Sequence, residues 1–321
     1  MRDRILSGFV RAAGAPRAIM RALRNLDRRA DTEVMLLGRL HSARVASIAE
    51  AASMDEIEFR VYSQWGEDGI LDYLTSRIAI PNEVFVEFGV QDYTEANTRF
   101  LLKRRNWSGL VIDSDPANIR QIRRDPISEM YDLTSVAATI TAENINGLIG
   151  GNGVEGDIGL LSIDIDGNDY WVWKAIQVVS PRVVVCEYNS VFGNDYAITV
   201  PYDPRFERIS AHHSKLYFGA SLPALRDLAD AKGYVFVGCN TSGVNAFFVR
   251  ADVAGAFARP AAVARYVESK FRESRDRAGR NTFLSGPARL AEIADCPVHD
   301  VRHGRTVRIR DLGSARESSS R

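Results

Sequence analysis

Short apolar runs that each end in an acidic residue recur through the middle of this chain. The first, residues 84–92, has the sequence Val-Phe-Val-Glu-Phe-Gly-Val-Gln-Asp, with Glu87 near the end of its apolar part. Similar runs end at Asp113, Asp164 and Glu187. Runs that are apolar on both faces are typical of central strands in a parallel sheet covered by helices. The pattern predicts at least four such strands, whose acids meet at the carboxyl edge of the sheet, where ligands bind in open α/β folds.

Apolar positions between these strands have the spacing of helices. The predicted helices cover residues 95–105, 170–178 and 221–232. Ser221 is the expected N-terminal cap of the last one, and Gly233 is expected to end it. Strands at residues 234–238 and 246–250 then form a hairpin-like pair. The predicted fold class is α/β, with a mostly parallel Rossmann-like sheet that has an antiparallel strand at its edge.

The loop after the first strand indicates which nucleoside this edge would bind. A dinucleotide site requires G-x-G-x-x-G, so that bare backbone can hold a pyrophosphate. Here Gly89 is the only glycine of the loop, and acids flank it. Acids repel phosphate, but they suit a ligand with a cationic centre and free ribose hydroxyls, such as S-adenosylmethionine. Asp113, one helix further on, is placed to accept hydrogen bonds from the ribose; a solvated loop acid is the alternative.

The same residues resemble the FkbM-like branch of class I S-adenosylmethionine-dependent methyltransferases. The resemblance covers roughly residues 60–250, and its motifs are Ser63-Gln-Trp-Gly-Glu-Asp68, Phe85-Val-Glu-Phe-Gly89, Trp107-Ser-Gly-Leu-Val-Ile-Asp113, Ile163-Asp-Ile-Asp-Gly167 and Val185-Cys-Glu187. It implies a Rossmann-like methyltransferase fold and O-methylation, often of a sugar hydroxyl. It also implies cofactor contacts from Glu87, Gly89 and Asp113, with Asp92, Asn97 and Asp164 as further candidates.

The chain departs from that family pattern in two ways. The glycine-rich first loop is reduced to Gly89, and the run Asp164-Ile-Asp-Gly-Asn-Asp169 is unusually acidic. An EF-hand is excluded for this run, because Gly167 stands at its fourth position and not at the sixth.

Three interpretations of the acidic run stay open. Asp164 and Asp166 could hold a divalent cation against a nucleotide-sugar, as in a glycosyltransferase. Asp164, Glu187 and Asn189 could instead bind Mg²⁺, which would orient an acceptor hydroxyl. Asp166 or Asn168 could simply cap the next helix.

Candidates for the catalytic base and for the acceptor site lie in and after this region. Asp164, Asp166 and His212 are the candidate bases, because a carboxylate or a histidine can take the hydroxyl proton. Residues 187–219 form a long insertion rich in tyrosine and amide side chains, which suits a polyhydroxy acceptor. The candidate acceptor contacts are Tyr188, Asn189, Tyr202 and His213. The alternatives are surface histidines and a packed lid without an acceptor role.

Composition narrows the classes of partner. The chain has 321 residues, of which 45% are hydrophobic and 26% are charged, and its formal net charge is zero. A protein that reads nucleic acid normally has a basic face, so a small-molecule or glycan acceptor is expected and nucleic acid is not. Cys186, Cys239 and Cys296 form no metal or disulfide spacing, which favours a reducing cytoplasm.

The N-terminal segment departs from this neutrality. Residues 1–30 contain eight arginines against two aspartates, with Ile5, Phe9, Ile19, Leu23 and Leu26 at helical spacing. The segment has no apolar stretch long enough for a signal peptide or a membrane span. It is compatible with peripheral contact at an anionic membrane, or with packing on the domain or on a second subunit of a homo-oligomer; Gly14 and Pro16 interrupt the pattern. Residues 31–58 continue as helix, with Val34, Leu37, Leu40 and Val45 on one side.

The expected domains are a helical arm at residues 1–58, a methyltransferase-like α/β domain at 59–252, and a C-terminal extension at 253–321. In the extension, residues 254–274 are predicted as helix, 306–309 as strand and 314–321 as a frayed tail. Two other functions remain as alternatives to methyl transfer. They are a metal-dependent nucleotide-sugar glycosyltransferase that uses Asp164 and Asp166, and a non-catalytic binding protein on the same fold.

Overall fold

The computed structural model describes residues 2–258 and 265–313. The predicted tail at 314–321 lies outside the described residues, as do residues 259–264 of the predicted C-terminal helix and the side chains of Ile5 and Phe9.

Ten α-helices and ten strands occupy the described residues. The helices are α1 (Arg2–Ala46), α2 (Glu67–Thr75), α3 (Arg99–Arg105), α4 (Pro116–Arg124), α5 (Ile127–Met130), α6 (Ile145–Gly150), α7 (Asp169–Ala175), α8 (Arg208–Ala211), α9 (Leu222–Ala231) and α10 (Pro287–Glu292). The strands are β1 (Val84–Phe88), β2 (Ser108–Asp113), β3 (Leu133–Ala137), β4 (Gly156–Ile163), β5 (Val179–Glu187), β6 (Ile198–Thr199), β7 (Tyr234–Cys239), β8 (Asn245–Arg250), β9 (Pro297–Asp300) and β10 (Arg305–Arg308).

Seven of these strands form one sheet in the order β3-β2-β1-β4-β5-β8-β7. The first five strands of that order pair in parallel, whereas β8 runs antiparallel to β5 and to β7. The chain order reverses direction between β1 and β4, which is the position where open α/β sheets bind ligands. The predicted fold class is confirmed.

The central strands are buried on both faces because alternate side chains enter two separate cores. Phe85 of β1 packs in the core beneath α1–α3, and its neighbour Val86 packs with α6, α7 and α9 on the other face. Leu160 and Leu161 of β4 divide in the same way. This two-sided burial accounts for the continuous apolar runs in the sequence, and it fixes where each strand ends.

Helix α1 runs unbroken through Gly14 and Pro16, where the apolar pattern is interrupted. The apolar side predicted for its second half is not the side that packs on the domain as a whole, because Leu37 and Leu40 are 57% and 68% exposed whereas Val45 is fully buried. The docked face contains Gly38, Ser42 and Val45.

Two features explain the choice of that face. A Cβ at Gly38 would lie 2.7 Å from Val61 and 2.9 Å from Phe100, so the helix backbone approaches the core closely there. The Ser42 hydroxyl donates to Asp72 of α2 at 2.7 Å.

No helix among the described residues is long and apolar enough to cross a membrane. Contact of α1 with a membrane surface or with a second subunit stays a prediction.

The C-terminal region differs from its prediction. Residues 265–274 are not helical and form an extended strap. The strap is held by contacts with residues distant in sequence, since the Tyr266 hydroxyl donates to the Ser190 carbonyl and the Ser269 amide donates to the Ser190 hydroxyl. The predicted strand at 306–309 is present as β10, which pairs with β9, and β9 pairs with β6 of the insertion. The proposed division into three domains stays a prediction.

Replacing Gly38 by Ala tests the docking of α1. We expect the free energy of unfolding to fall by about 1–3 kcal/mol, because the added methyl group meets Val61 and Phe100 at less than contact distance. The measurement is urea unfolding of the full chain, with the exposed Arg39→Ala on the same helix as the control. Equal stability of Gly38→Ala and wild type would contradict the described docking.

Candidate functional site

The carboxyl ends of β1, β2, β4 and β5 bring four acids to one edge of the sheet. These acids are Glu87, Asp113, Asp164 and Glu187. Gly89, just beyond β1, has φ +72°, and a Cβ there would lie 1.7 Å from the Asp164 carbonyl oxygen. Only glycine allows this approach, so β1 and β4 converge directly beneath the edge.

A cavity of about 470 Å³ opens over this edge. Its lining includes Gly89, Gln91, Asp113, Ile140, Asp164 and Arg208. A smaller cavity of about 80 Å³ adjoins it and is lined in part by Glu87, Asn97 and Asn245. We call the larger space the donor cavity.

A third cavity, of about 360 Å³, lies beside the donor cavity, and we call it the acceptor cavity. Trp65 and Phe271 stack on one another at its wall, with ring centroids 5.2 Å apart. Gln64, Glu187 and Arg208 line both cavities. The two spaces therefore meet at these three side chains.

Glu87 braces the loop that leads into α3. Its carboxylate accepts hydrogen bonds from the Asn97 amide at 2.8 Å and from the amide and hydroxyl of Thr98 at 3.1 and 2.5 Å. The Ser162 hydroxyl is a weaker partner at 3.4 Å. Burial raises the pKa of Glu87 to about 7, against the lowering effect of these bonds. A contact of Glu87 with a cofactor stays a prediction.

Asp113 combines a structural bond with a place in the donor cavity. Its Oδ2 accepts from the Gln91 amide at 2.7 Å, and its Oδ1 accepts from the Asp115 amide and the Asn118 side chain. Asn97 lines the small cavity and donates to Ser162 at 3.0 Å. The three bonds to Asp113 leave one lone-pair site free on its Oδ2, so Asp113 can still accept from a ribose hydroxyl.

Asp92 does not belong to the lining of any of these cavities, in contrast to its predicted cofactor role. Its Oδ1 accepts from the amide and hydroxyl of Thr94, and its Oδ2 accepts from Gln121. The physical reason is a local Asx turn, which directs the carboxylate back to its own loop.

The acids of the run after β4 have two roles, since one holds the turn and two line the donor cavity. Asp169 is fully buried and accepts from the amides of Ile165 and Gly167, both at 2.9 Å. Asp166 has a positive φ of 57° and pairs with Arg208, whose Nη1 lies 2.7 Å from Oδ1. Asn168 is at the N-cap position of α7 but makes no side-chain capping bond. The turn is therefore held by Asp169, and Asp164 and Asp166 line the cavity.

Asp164, Asp166 and Glu187 form an acidic trio at the junction of the two cavities. One carboxylate oxygen from each lies within 4.8 Å of the others. Burial and then repulsion from Asp166 raise the pKa of Asp164 well above its ordinary value, and burial and then Asp164 do the same for Glu187. Repulsion of this kind is relieved when a positively charged ligand binds.

Asn189 does not join this group, which corrects its prediction as a metal ligand. Its amide nitrogen donates to the carbonyls of Leu216 and Phe218, and its Oδ1 accepts from the Val191 amide. These bonds tie the end of β5 to the insertion. The position of a third carboxylate beside Asp164 and Glu187 is taken by Asp166.

Of the remaining predicted site residues, one lines a cavity and three do not. Tyr188 lines the acceptor cavity, although its hydroxyl donates to the Val267 carbonyl. Tyr202 donates to Glu143 at 2.5 Å and lines neither cavity. His212 is bonded to Ser214 and His213 to Glu292, and both histidines lie outside the lining. The predicted roles of His212, His213 and Tyr202 do not fit this geometry, because hydrogen bonds to residues outside the cavity linings hold all three side chains.

Sequence reasoning missed Gln64 and Arg208 as lining residues of both cavities. Gln64 is presented by a turn that two buried acids hold. Asp68 accepts from the amides of residues 61–63, and Glu67 accepts from the Trp65 amide and from Asn240 and Asn245. The motif Ser63–Asp68 was a signal for this turn, whereas no pattern around Arg208 distinguished it from other surface arginines.

Several solved methyltransferase structures are similar to this chain at low sequence identity. A putative O-methyltransferase from Klebsiella pneumoniae matches with 13% identity over 67% of this chain and 87% of that chain, at a TM-score of 0.34. The Bacillus cereus O-methyltransferase in complex with S-adenosylhomocysteine (SAH) matches with 12% identity over 67% and 89%, at 0.36. The SAH-bound Podospora anserina methyltransferase PaMTH1 matches with 12% identity over 69% and 87%, at 0.38. No protein-family model and no curated protein matches the sequence. Similarity at this level assigns no activity to the chain.

Replacing Glu87 by Gln tests the electrostatic role of that acid. Between its ordinary pKa of 4.5 and its folded pKa of about 7, the unfolded chain loses the Glu87 proton and the folded chain keeps it. Glu87 therefore makes its whole contribution to the free energy of unfolding below pH 4.5, and this contribution decreases as the pH rises to 7. A neutral glutamine removes this loss. We expect the stability of Glu87→Gln relative to wild type to rise by about 1–3 kcal/mol between pH 4.5 and pH 8 in urea unfolding.

The exposed Glu83→Gln on the approach to β1 is the matched control, and it should show no such trend. A stability difference between Glu87→Gln and wild type that is constant with pH would contradict this description of Glu87.

Proposed function

We propose that this protein is an S-adenosylmethionine-dependent O-methyltransferase of the FkbM-like type, acting on a hydroxyl of a glycan or related acceptor. The donor cavity is the main support for this proposal. It lies at the reversal of strand order and is lined by Gly89, Asp113 and the acidic trio. The motifs that resemble the FkbM-like branch fall on this cavity and on the turn at Gln64.

The charge of the donor cavity favours a cationic nucleoside. Its lining includes the acids Asp113, Asp164, Asp166, Glu187 and Glu207, against the single cation Arg208 among the described lining residues. A sulfonium is stabilised by such surroundings, whereas a pyrophosphate is repelled. The acidic lining therefore favours methyl transfer over transfer of a sugar from a nucleotide-sugar.

The two ends of the donor cavity suit the two ends of the cofactor. In our proposal the ribose hydroxyls bind Asp113, and the adenine lies beside Ile140. The methionine part then extends past Gly89 toward Asp164 and the small cavity at Asn97. The methyl group is directed to the junction formed by Gln64, Glu187 and Arg208, which is the only lining shared by both cavities in the described residues.

The acceptor cavity suits a polyhydroxy ligand. The Trp65–Phe271 pair offers aromatic surface for the apolar face of a sugar, and Asn189, Ser269 and Arg289 bring polar groups to the same space.

Methyl transfer from a sulfonium is an in-line displacement, so alignment at the junction provides most of the catalysis. A carboxylate of the trio is the candidate acceptor of the hydroxyl proton. A metal ion is not required for this proposal, because the sulfonium is already activated.

Calorimetric titration with SAH tests the proposed cofactor. We expect micromolar binding to the full chain and a loss of at least tenfold in affinity for Asp113→Ala, since that variant removes the ribose acceptor. Asp92→Ala is the matched control, because Asp92 is an acid of the neighbouring loop that lies outside the cavity lining. It should bind SAH as wild type does.

A nucleotide-sugar with Mn²⁺ is titrated in parallel. Binding of UDP-glucose with Mn²⁺ but not of SAH would favour the glycosyltransferase. Binding of neither ligand would favour a non-catalytic protein, and either result would overturn the proposal.

A further inference from the structure

The acidic trio of Asp164, Asp166 and Glu187 has the spacing of a divalent-cation site. Its three carboxylate oxygens lie within 4.8 Å of one another. Hard divalent cations bind oxygen ligands at about 2.0–2.6 Å, so two ligands of one ion are separated by at most roughly 5 Å. The three oxygens can therefore reach a common ion with small rotations of their side chains.

A second observation is the state of Glu187. The residue is only 7% exposed. Its Oε2 is buried and has no hydrogen-bond partner among the described residues. An uncompensated buried carboxylate is strongly destabilising, and a bound cation is one of the few ways to compensate it. Glu87 and Asp169 are buried to a similar degree, but backbone amides satisfy both. Glu187 thus stands apart from the other buried acids of this edge.

The charge balance of the trio also fits a divalent ion. Arg208 pairs with Asp166 at 2.7 Å, and no other ion pair to the three carboxylates is found in the part of the chain that the structure describes. The Arg208 side chain is fixed by further contacts, because its Nε donates to the Lys215 carbonyl and its guanidinium lies 3.7 Å from the centre of the Phe218 ring. Three carboxylates and one guanidinium leave two negative charges when all are ionised.

We propose that Asp164, Asp166 and Glu187 bind one hard divalent cation, Mg²⁺ or Mn²⁺, at the junction of the donor and acceptor cavities. The carboxylates provide three oxygen ligands, and water or an acceptor oxygen completes the coordination. Binding of the ion stands independently of the methyltransferase function. Its role in orienting an acceptor hydroxyl and lowering the hydroxyl pKa rests on that proposed function.

Mn²⁺ is the probe, because bound and free Mn²⁺ are distinguished by electron paramagnetic resonance. The full chain is freed of metal with EDTA, dialysed and titrated with MnCl₂, first alone and then with saturating SAH. SAH has a neutral sulfur, so it does not supply the positive charge of the sulfonium. We expect one bound Mn²⁺ per chain, displaced by excess Mg²⁺.

Asp166→Asn is the decisive variant. Asp166 is exposed and has a positive φ, which asparagine also tolerates, so the variant is expected to fold. It removes one charged ligand and should weaken Mn²⁺ binding at least tenfold. Glu207→Gln is the matched control, because Glu207 lines the donor cavity but lies outside the trio. It removes the same charge and should change Mn²⁺ affinity less than threefold.

The proposal is overturned if wild type binds no Mn²⁺ at millimolar concentration, or if Asp166→Asn and Glu207→Gln weaken binding equally. Thermal unfolding of both variants confirms that each is folded. SAH titration in EDTA separates this result from the proposed function, because SAH binding without metal binding would leave the methyltransferase proposal standing and reject the metal site alone.

Discussion

The close approach of Gly89 to the Asp164 carbonyl is the constraint on which the candidate site depends. A Cβ at residue 89 would lie 1.7 Å from that oxygen, so any other residue would force the ends of β1 and β4 apart. Their convergence sets the floor of the donor cavity and directs the chain after β4 into the turn that carries Asp164 and Asp166. Gly89 therefore acts through backbone geometry, and it needs no phosphate-binding role to explain its place.

Acids at and near the edge of the sheet have two roles. Glu87, Asp68 and Asp169 accept backbone amides and hold the loops around the cavities. Their burial raises each pKa, to about 7 for Glu87 and about 6 for the other two, despite those bonds. Asp164 and Glu187 instead face the junction beside Arg208. Backbone amides satisfy Glu87 and Asp169, which hold the loops, whereas Glu187 keeps a buried oxygen at the junction without a hydrogen-bond partner among the described residues.

The sequence predicted the strand ends well, because apolar runs on both faces leave little freedom in where a central strand stops. Side-chain direction in loops has no such periodicity. Asp92 and His212 were therefore proposed for a site from which Thr94 and Ser214 hold them. Asn189 was proposed as a metal ligand, although its side chain is bonded to Leu216 in the wall of the acceptor cavity. Two other features depend on tertiary contacts that the sequence pattern does not contain. Close approach at Gly38 determines which face of α1 packs on the domain, and a hydrogen bond to Ser190 helps to hold residues 265–274 as a strap.

A crystal structure of the full chain with SAH is the most direct test of cofactor binding in the donor cavity. We expect the ribose hydroxyls within hydrogen-bond distance of Asp113, and the sulfur at the junction beside Glu187 and Arg208, with the loop at Gly89 unchanged. A nucleoside bound between Trp65 and Phe271, or anywhere away from the ends of β1 and β2, would contradict it.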